Sequence, residues 1–166
     1  VLGEGKVSKS VVLDDTRLHI AYHFAGVSEG LFRVTVNIAM PSCDGPAGRF
    51  RIDKDILGGF GQPLDLVEMQ NIVLEDAVLG GKLKVSVNRA VTFHSQPCFS
   101  VSQSEAGFEK IMQAVVLTFE CPLKSRAEKL DVYSIVNVEN VKGYLFVETA
   151  DENTLVKLIQ KVKHVK

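Results

Sequence analysis

The chain has 166 residues, 46% of them apolar and 23% charged, which suits one soluble globular domain with room for a small appendage. Its net charge of −1 and pI near 6.5 give no electrostatic ground for binding nucleic acid or an anionic membrane. No apolar run approaches the about 20 residues that a spanning helix needs, so no membrane partner is expected. Three widely spaced cysteines, Cys43, Cys98 and Cys121, form no C-x-x-C pair. They fit reduced thiols in a cytosol better than a disulfide framework. The expected location is cytoplasmic, and no secretory signal is legible. From the start at Val1 rather than Met, an excised or trimmed piece is expected.

In chain order, Val1 to Lys9 has two glycines and no periodicity, and reads as a mobile lead-in or a severed linker. Leu18 to Phe24 alternates, with Leu18, Ile20, Tyr22 and Phe24 on one face and His19, Ala21 and His23 on the other. After the turn at Gly26 to Gly30, Leu31 to Met40 alternates again, with Phe32, Val34, Val36, Ile38 and Met40 inward. Two such runs joined by a short Gly-containing loop read as an antiparallel pair. Pro41 to Gly48 is turn chemistry, Arg49 to Ile52 a short strand, and Asp55 to Pro63 a long irregular loop. In the ambiguous run Leu64 to Leu79, a strand is favoured around Asn71 to Asp76, stopped by Gly80 and Gly81. Leu83 to Phe93 alternates well. Beyond the polar stretch Ser100 to Gln113, Ile111 to Glu120 is apolar on both faces, the mark of a covered central strand. On that period Ile111, Gln113, Val115, Leu117 and Phe119 share one face. Leu130 to Val138 repeats the alternation. Seven or more strands, with turn signals about every 8–12 residues, are the pattern of a β-sandwich.

The last segment changes character. Tyr144 to Glu148 is a short apolar strand, and Thr149 with Glu152 has the spacing of a capping box. Leu155, Leu158, Ile159 and Val162 then recur at i, i+3, i+4 and i+7, the apolar face of a helix. The expected fold is mainly β: an antiparallel β-sandwich with a C-terminal strand and α-helix docked on one sheet.

Candidate chemistry is sparse. His19 and His23 lie four apart on a strand, so their α-carbons stand about 13 Å apart, too far to share one ion. They read as solvent-face histidines, and no metal site is expected. His94 either faces a ligand or ends a strand. Cys98 is near His94, but a nucleophile needs a positioned base and a thiolate-favouring environment, and Cys98 reads as a buried structural thiol. Gly58 to Gly61 lacks the lysine of a phosphate cradle and reads as loop. Glu105 and Glu109 would share a face if Glu105 to Met112 were helical, but Gly107 between them opposes a helix. Acids bordering a loop are more often solvated than catalytic, and glycosidic chemistry needs two carboxyls flanking one bond. No catalytic residue is assigned. The lysines at 157, 161, 163 and 166 complement a helix C-terminus.

Two blocks carry resemblances. Leu31-Phe-Arg-Val-Thr-Val-Asn-Ile38 with Ala39-Met-Pro-Ser-Cys-Asp-Gly-Pro-Ala-Gly-Arg-Phe50, and then Phe99-Ser-Val-Ser-Gln-Ser-Glu-Ala-Gly-Phe-Glu-Lys-Ile-Met-Gln113, resemble the C-terminal β-sandwich of family 57 glycoside hydrolases. This is the α-amylase and 4-α-glucanotransferase group, and the likeness extends over residues 1–141. It implies a non-catalytic accessory domain without cofactor, because the family's catalytic acids sit on a barrel that this chain lacks. The implied partners are an α-glucan or that upstream catalytic barrel, contacted by a polar surface including His94, Gln103, Glu105 and Glu109. The family often has an aromatic where this chain has Met112.

Ser125-Arg-Ala-Glu-Lys-Leu-Asp-Val-Tyr-Ser-Ile135 and Lys142-Gly-Tyr-Leu-Phe-Val-Glu148, with the helix after them, resemble part of an archaeal NusG N-terminal (NGN) domain. That likeness implies a transcription elongation module contacting the RNA polymerase clamp through Tyr133 and Ile135. The family's first strand and long helix have no clear counterpart here. The expected organisation is a sandwich over 1–141 and a strand–helix segment over 142–166, with a partial NGN-like unit beginning at 125 as the other division.

Overall fold

The structure, a computed structural model, describes residues 5–14, 17–27, 29–39, 47–78, 80–105, 107–124 and 127–138. Within them nine strands follow one another: β1 (Lys6–Asp14), β2 (Arg17–Ala25), β3 (Gly30–Ile38), β4 (Gly48–Ile52), β5 (Asp55–Gly59), β6 (Leu64–Asp76), β7 (Gly81–Ser104), β8 (Gly107–Leu123) and β9 (Ala127–Val138). Pairing is antiparallel throughout, in the order β1-β2-β9-β7-β6-β4-β5, with β8 bridging β7 and β3. The fold class is mainly β, as expected. No helix stands among the described residues, and the expected helix at 149–163 lies outside them.

One hydrogen-bonded sheet makes both layers because β6 and β7 bend. From the Met69–Val91 pair to the Asn71–Ser86 pair, β6 moves two residues while β7 moves five. Between Leu66 and Met69, β6 carries one residue more than its partner, and Glu68 sits there at φ 55. Extra residues bend and twist a strand, which carries the chain from one layer to the other. The first part of β7 therefore pairs with β9 (Gly81–Val87), and the last part with β8 (Thr92–Ser104). The layers meet face to face. Tyr22 and Phe24 of β2 reach Phe32 of β3 at ring-centroid distances of 5.0 and 4.6 Å, and Phe50 of β4 reaches Phe93 of β7 at 6.4 Å. Phe50, Phe60, Phe93, Ile72 and Leu74 are fully buried at the centre. Each such side chain contributes about 1.5–3 kcal/mol through burial.

Several expectations are corrected. β2 and β3 are not a hydrogen-bonded pair: β2 pairs with β1 and β9, and β3 with β8. Their short connection crosses between layers, and alternation alone does not distinguish a hairpin from a crossover. The lead-in is a strand, since Lys6–Asp14 pairs along all of β2. Asp55–Gly59 is strand β5 rather than loop, turned back by Asp53 at φ 51. Aspartate tolerates that left-handed conformation, so no glycine marks the turn. β8 does not keep one period: Met112 is buried while Ile111 and Gln113 are exposed. The register shift opposite Cys98 and Phe99 flips the faces there.

Ser95 is fully buried on β7, and its hydroxyl has no hydrogen-bond partner. A buried hydroxyl without a partner costs about 1–3 kcal/mol. Ser95→Ala is therefore expected to stabilise the fold by about 1 kcal/mol. A higher urea midpoint at unchanged slope is the readout, and a lower midpoint refutes it.

Candidate functional site

The stretch Ser100 to Gln113 folds as a β-hairpin arm. β7 and β8 stay paired from Phe99–Met112 to Ser104–Gly107, about 17 Å along the strand direction. The turn contains Glu105, and Gly107 takes φ +121, a conformation that side chains other than glycine's rarely adopt. Met112 is the last buried residue, and every described side chain from Ser100 to Ile111 is exposed. The arm thus extends past the core, and its two faces differ. On the side that continues the core stand Phe99, Val101 and Gln103 opposite Met112, Lys110 and Phe108. Val101 is 71% and Phe108 78% exposed, and the Lys110 ammonium lies 3.9 Å from the Phe99 ring centroid. On the other side Ser100, Ser102 and Glu109 stand in register with Ile111, Glu109 and Ser102 respectively, and Gln113 Nε2 donates to Ser100 Oγ at 3.0 Å.

Gln103, Glu105 and Glu109 are brought together on this arm, but on different aspects of it. Gln103 faces the core side, Glu105 sits in the turn, and Glu109 faces outward beside Ser102. The helical alternative for Glu105 to Met112 is overturned, because the segment pairs as strand. His94 is not part of the group. It stands nine residues back on β7, about 30 Å away along the strand. There it belongs to a ladder of charges across the outer face of the β3-β8-β7-β6 layer. Arg33 Nε donates to Glu120 Oε1 at 2.7 Å, Glu120 Oε2 lies 3.8 Å from His94 Nε2, and His94 Nδ1 lies 2.6 Å from Asp65 Oδ1. In that ladder His94 stands between Glu120 and Asp65.

The outer face of the other layer holds a second cluster. His19 and Tyr133, opposite each other on β2 and β9, stack at 4.3 Å with an interplanar angle of 9°. Asp131, with a side chain only 5% exposed, is held by His19 Nε2 at 3.1 Å, Lys129 Nζ at 3.0 Å and Asn88 Nδ2 at 3.3 Å. Its backbone N–H donates to Asn88 Oδ1 at 3.0 Å. Burial pushes the Asp131 carboxyl up, but hydrogen bonds from Lys129 and His19 and their charge outweigh it, so its pKa lies below the usual range. His19 is therefore a partner of Asp131 rather than a solvent-face histidine. Asp131 and Asn88 were not legible as a pair. Both occupy ordinary outward positions, and only the β7–β9 pairing joins them. Tyr133 keeps 41% exposure on this face, and Ile135 sits on β9 opposite Arg17 and Lys84.

Among the described residues no group of three or more His, Cys, Asp or Glu can hold a metal ion. Cys98 is exposed, not buried, whereas Cys121 is buried. Cys43 and the lysines at 157, 161, 163 and 166 lie outside the described residues. No helix among the described residues is long and apolar enough to cross a membrane.

Comparison with known proteins agrees with this geometry. Residues 3–132 match the family described as "Alpha-amylase/4-alpha-glucanotransferase, C-terminal". Residues 108–166 match "Early transcription elongation factor of RNA pol II, NGN section". No curated protein matches the chain. A 4-α-glucanotransferase from Thermococcus litoralis aligns at a TM-score of 0.61 and 20% identity, over 81% of this chain and 19% of that one. The Slr1438 protein from Synechocystis sp. PCC 6803 aligns at a TM-score of 0.42 and 14% identity, over 80% of this chain and 55% of that one. The glucanotransferase shares the fold, and this chain spans about a fifth of its length. The NGN match overlaps the sandwich: residues 108–123 lie in β8 and 127–138 in β9, both paired with other sandwich strands. The first match covers most of the chain, and the chain belongs to the C-terminal domain family of α-amylases and 4-α-glucanotransferases.

Proposed function

We propose that this chain is a non-catalytic accessory β-sandwich domain of an α-glucan-processing enzyme of the α-amylase/4-α-glucanotransferase type. It packs on a catalytic barrel and presents the polar end of the β7–β8 arm, with Gln103, Glu105 and Glu109, to the glucan. The observation that carries this reading is the family match over residues 3–132. The arm adds physical support. Two strands extending beyond a core are marginal by themselves, so an arm of this kind suits a surface ordered by contact. The carboxyls support a non-catalytic role. Hydrolysis needs two acids about 5–9.5 Å apart on either side of one bond. Among the described residues, Glu105 in the turn and Glu109 on the outer face are exposed and stand on one hairpin rather than on two facing elements.

Titration of the whole chain with millimolar maltoheptaose in a calorimeter is expected to show weak binding heat. Gln103→Ala combined with Glu105→Ala should weaken it about tenfold. Absence of heat from the parent chain overturns glucan contact by the arm. Release of shorter or longer glucans by this chain alone overturns the non-catalytic role.

A second reading has one observation in its favour, the NGN match over residues 108–166. On that reading the chain contacts RNA polymerase through the exposed Tyr133. Retention of polymerase that is unchanged by Tyr133→Ala would sink it.

A further inference from the structure

β1 stands at the end of the sheet order, and among the described residues no strand pairs with its outer edge. It pairs with β2 over nine positions without a register shift, and it contains neither proline nor glycine. Bulges, prolines and short length are the usual ways in which a sheet edge is kept from pairing again. β1 has none of them. Every side chain of β1 is exposed, including those on the side that continues the core. There Val7, Lys9, Val11 and Leu13 stand in register with Phe24, Tyr22, Ile20 and Leu18. Phe24, Tyr22 and Ile20 are buried, whereas Val7, Val11 and Leu13 remain 43%, 54% and 64% exposed.

The order of residues along this edge is self-complementary. A two-fold axis perpendicular to the sheet keeps the core sides of two copies together, so only residues of the same face stand opposite each other. Antiparallel pairing centred on Ser10 is then the register that matches all nine residues. It sets Lys6 of each copy opposite Asp14 of the other, Val7 opposite Leu13, and Lys9 opposite Val11. Opposite charges and apolar pairs that meet directly across strands are each stabilising. The next register on one side, centred on Lys9, brings two lysines face to face, which disfavours it. The next on the other side, centred on Val11, matches only Ser8 to Asp14 and leaves Asp14 opposite a serine. Lys9 is the one charge on the core side of β1. Its Nζ lies 5.6 Å from the Tyr22 ring centroid, drawn back over β2 and away from the edge.

We propose that the outer edge of β1 binds a second copy of this chain, antiparallel and centred on Ser10, so that one sheet runs through two sandwiches. The contact gathers Val7, Val11 and Leu13 of both copies into one apolar strip and converts an open edge into a paired strand. A two-fold contact uses the same patch on both copies, so assembly stops at the dimer. One strand pair is smaller than a standard interface, which puts the association in the micromolar-to-millimolar range. This inference rests on β1 alone and is independent of the glucan reading.

Sedimentation equilibrium of the 166-residue chain, up to about 1 mM, is expected to show a mass rising from 18.2 kDa toward twice that value. Lys6→Asp sets two acids opposite each other and Asp14→Lys two lysines, so each variant alone should dimerise about tenfold more weakly. An equimolar mixture of the two variants restores both charge pairs and should recover the parent affinity, which a fold defect would not do. Oxidation should cross-link Ser10→Cys, whose α-carbons stand about 5 Å apart across the two-fold axis. Ser8→Cys, about 14 Å from its counterpart and with the same natural thiols, should not cross-link. A chain that stays monomeric at about 1 mM overturns the proposal. Association that neither charge variant weakens, or that the mixture fails to restore, also overturns it by placing the contact elsewhere.

Discussion

Phe93→Ala is expected to remove about 3–5 kcal/mol of folding stability, a large share of the about 5–15 kcal/mol that holds such a domain. Phe93 is fully buried where β7 passes into the second layer, with ring centroids 6.4 Å from Phe50 and 5.4 Å from Phe119. Truncation leaves a cavity between layers, and the bent strand cannot collapse to fill it without breaking its ladder with β8. The urea midpoint should fall with little change in slope. Phe108→Ala is the control: at 78% exposure on the arm it should alter stability by less than about 0.5 kcal/mol. A Phe93→Ala loss below about 1 kcal/mol would refute the central place given to this ring.

Asp131→Ala is expected to cost about 2–3 kcal/mol at neutral pH, because it strips a buried acceptor from His19, Lys129 and Asn88 together. The effect carries a pH signature. The folded-state pKa of Asp131 lies below the unfolded value, so the unfolded chain binds the proton first as pH falls. The contribution is complete above the ordinary aspartate value of about 3.9 and is lost as pH drops through the lower folded value. Glu75 has the same sign. A hydrogen bond from Arg51 lowers its pKa against a smaller penalty from burial, with help from the charges of Lys82 and Arg49. Acid unfolding should therefore set in below about pH 4. The gap in melting temperature between the parent chain and Asp131→Ala should be largest near neutrality and shrink toward pH 3. A gap that stays constant across that range would show that the carboxylate charge contributes nothing.

The pair Phe93 and Phe108 shows where legibility ended. Both are phenylalanines on the paired strands β7 and β8, and residue type alone treats them alike. One is at the centre of the core and the other on a solvent-facing arm, because β7 and β8 together outrun the strands that cover them. Likewise Lys6–Asp14 has too few contrasts between neighbouring residues to register as a strand, since an overhanging edge buries neither of its faces. At the candidate site, Ser100 to Gln113 was recognisable by composition and by resemblance. His94 lies apart from its polar residues, because the β7 strand holds it far away in a separate ladder.

By itself the sequence determined the mainly β class, most strand segments and the family. These follow from side-chain alternation and from motifs, both of which are local. The tertiary structure alone decided which strands pair, and so that β2 and β3 face each other across the core rather than bond edge to edge. It also decided which carboxylates are buried and which apolar residues are left uncovered. Those outcomes depend on where β6 and β7 bend and on which strand ends without a neighbour in the facing layer. Contacts between residues more than a hundred positions apart, such as His19 with Asp131, settle both. No window of local sequence contains that information.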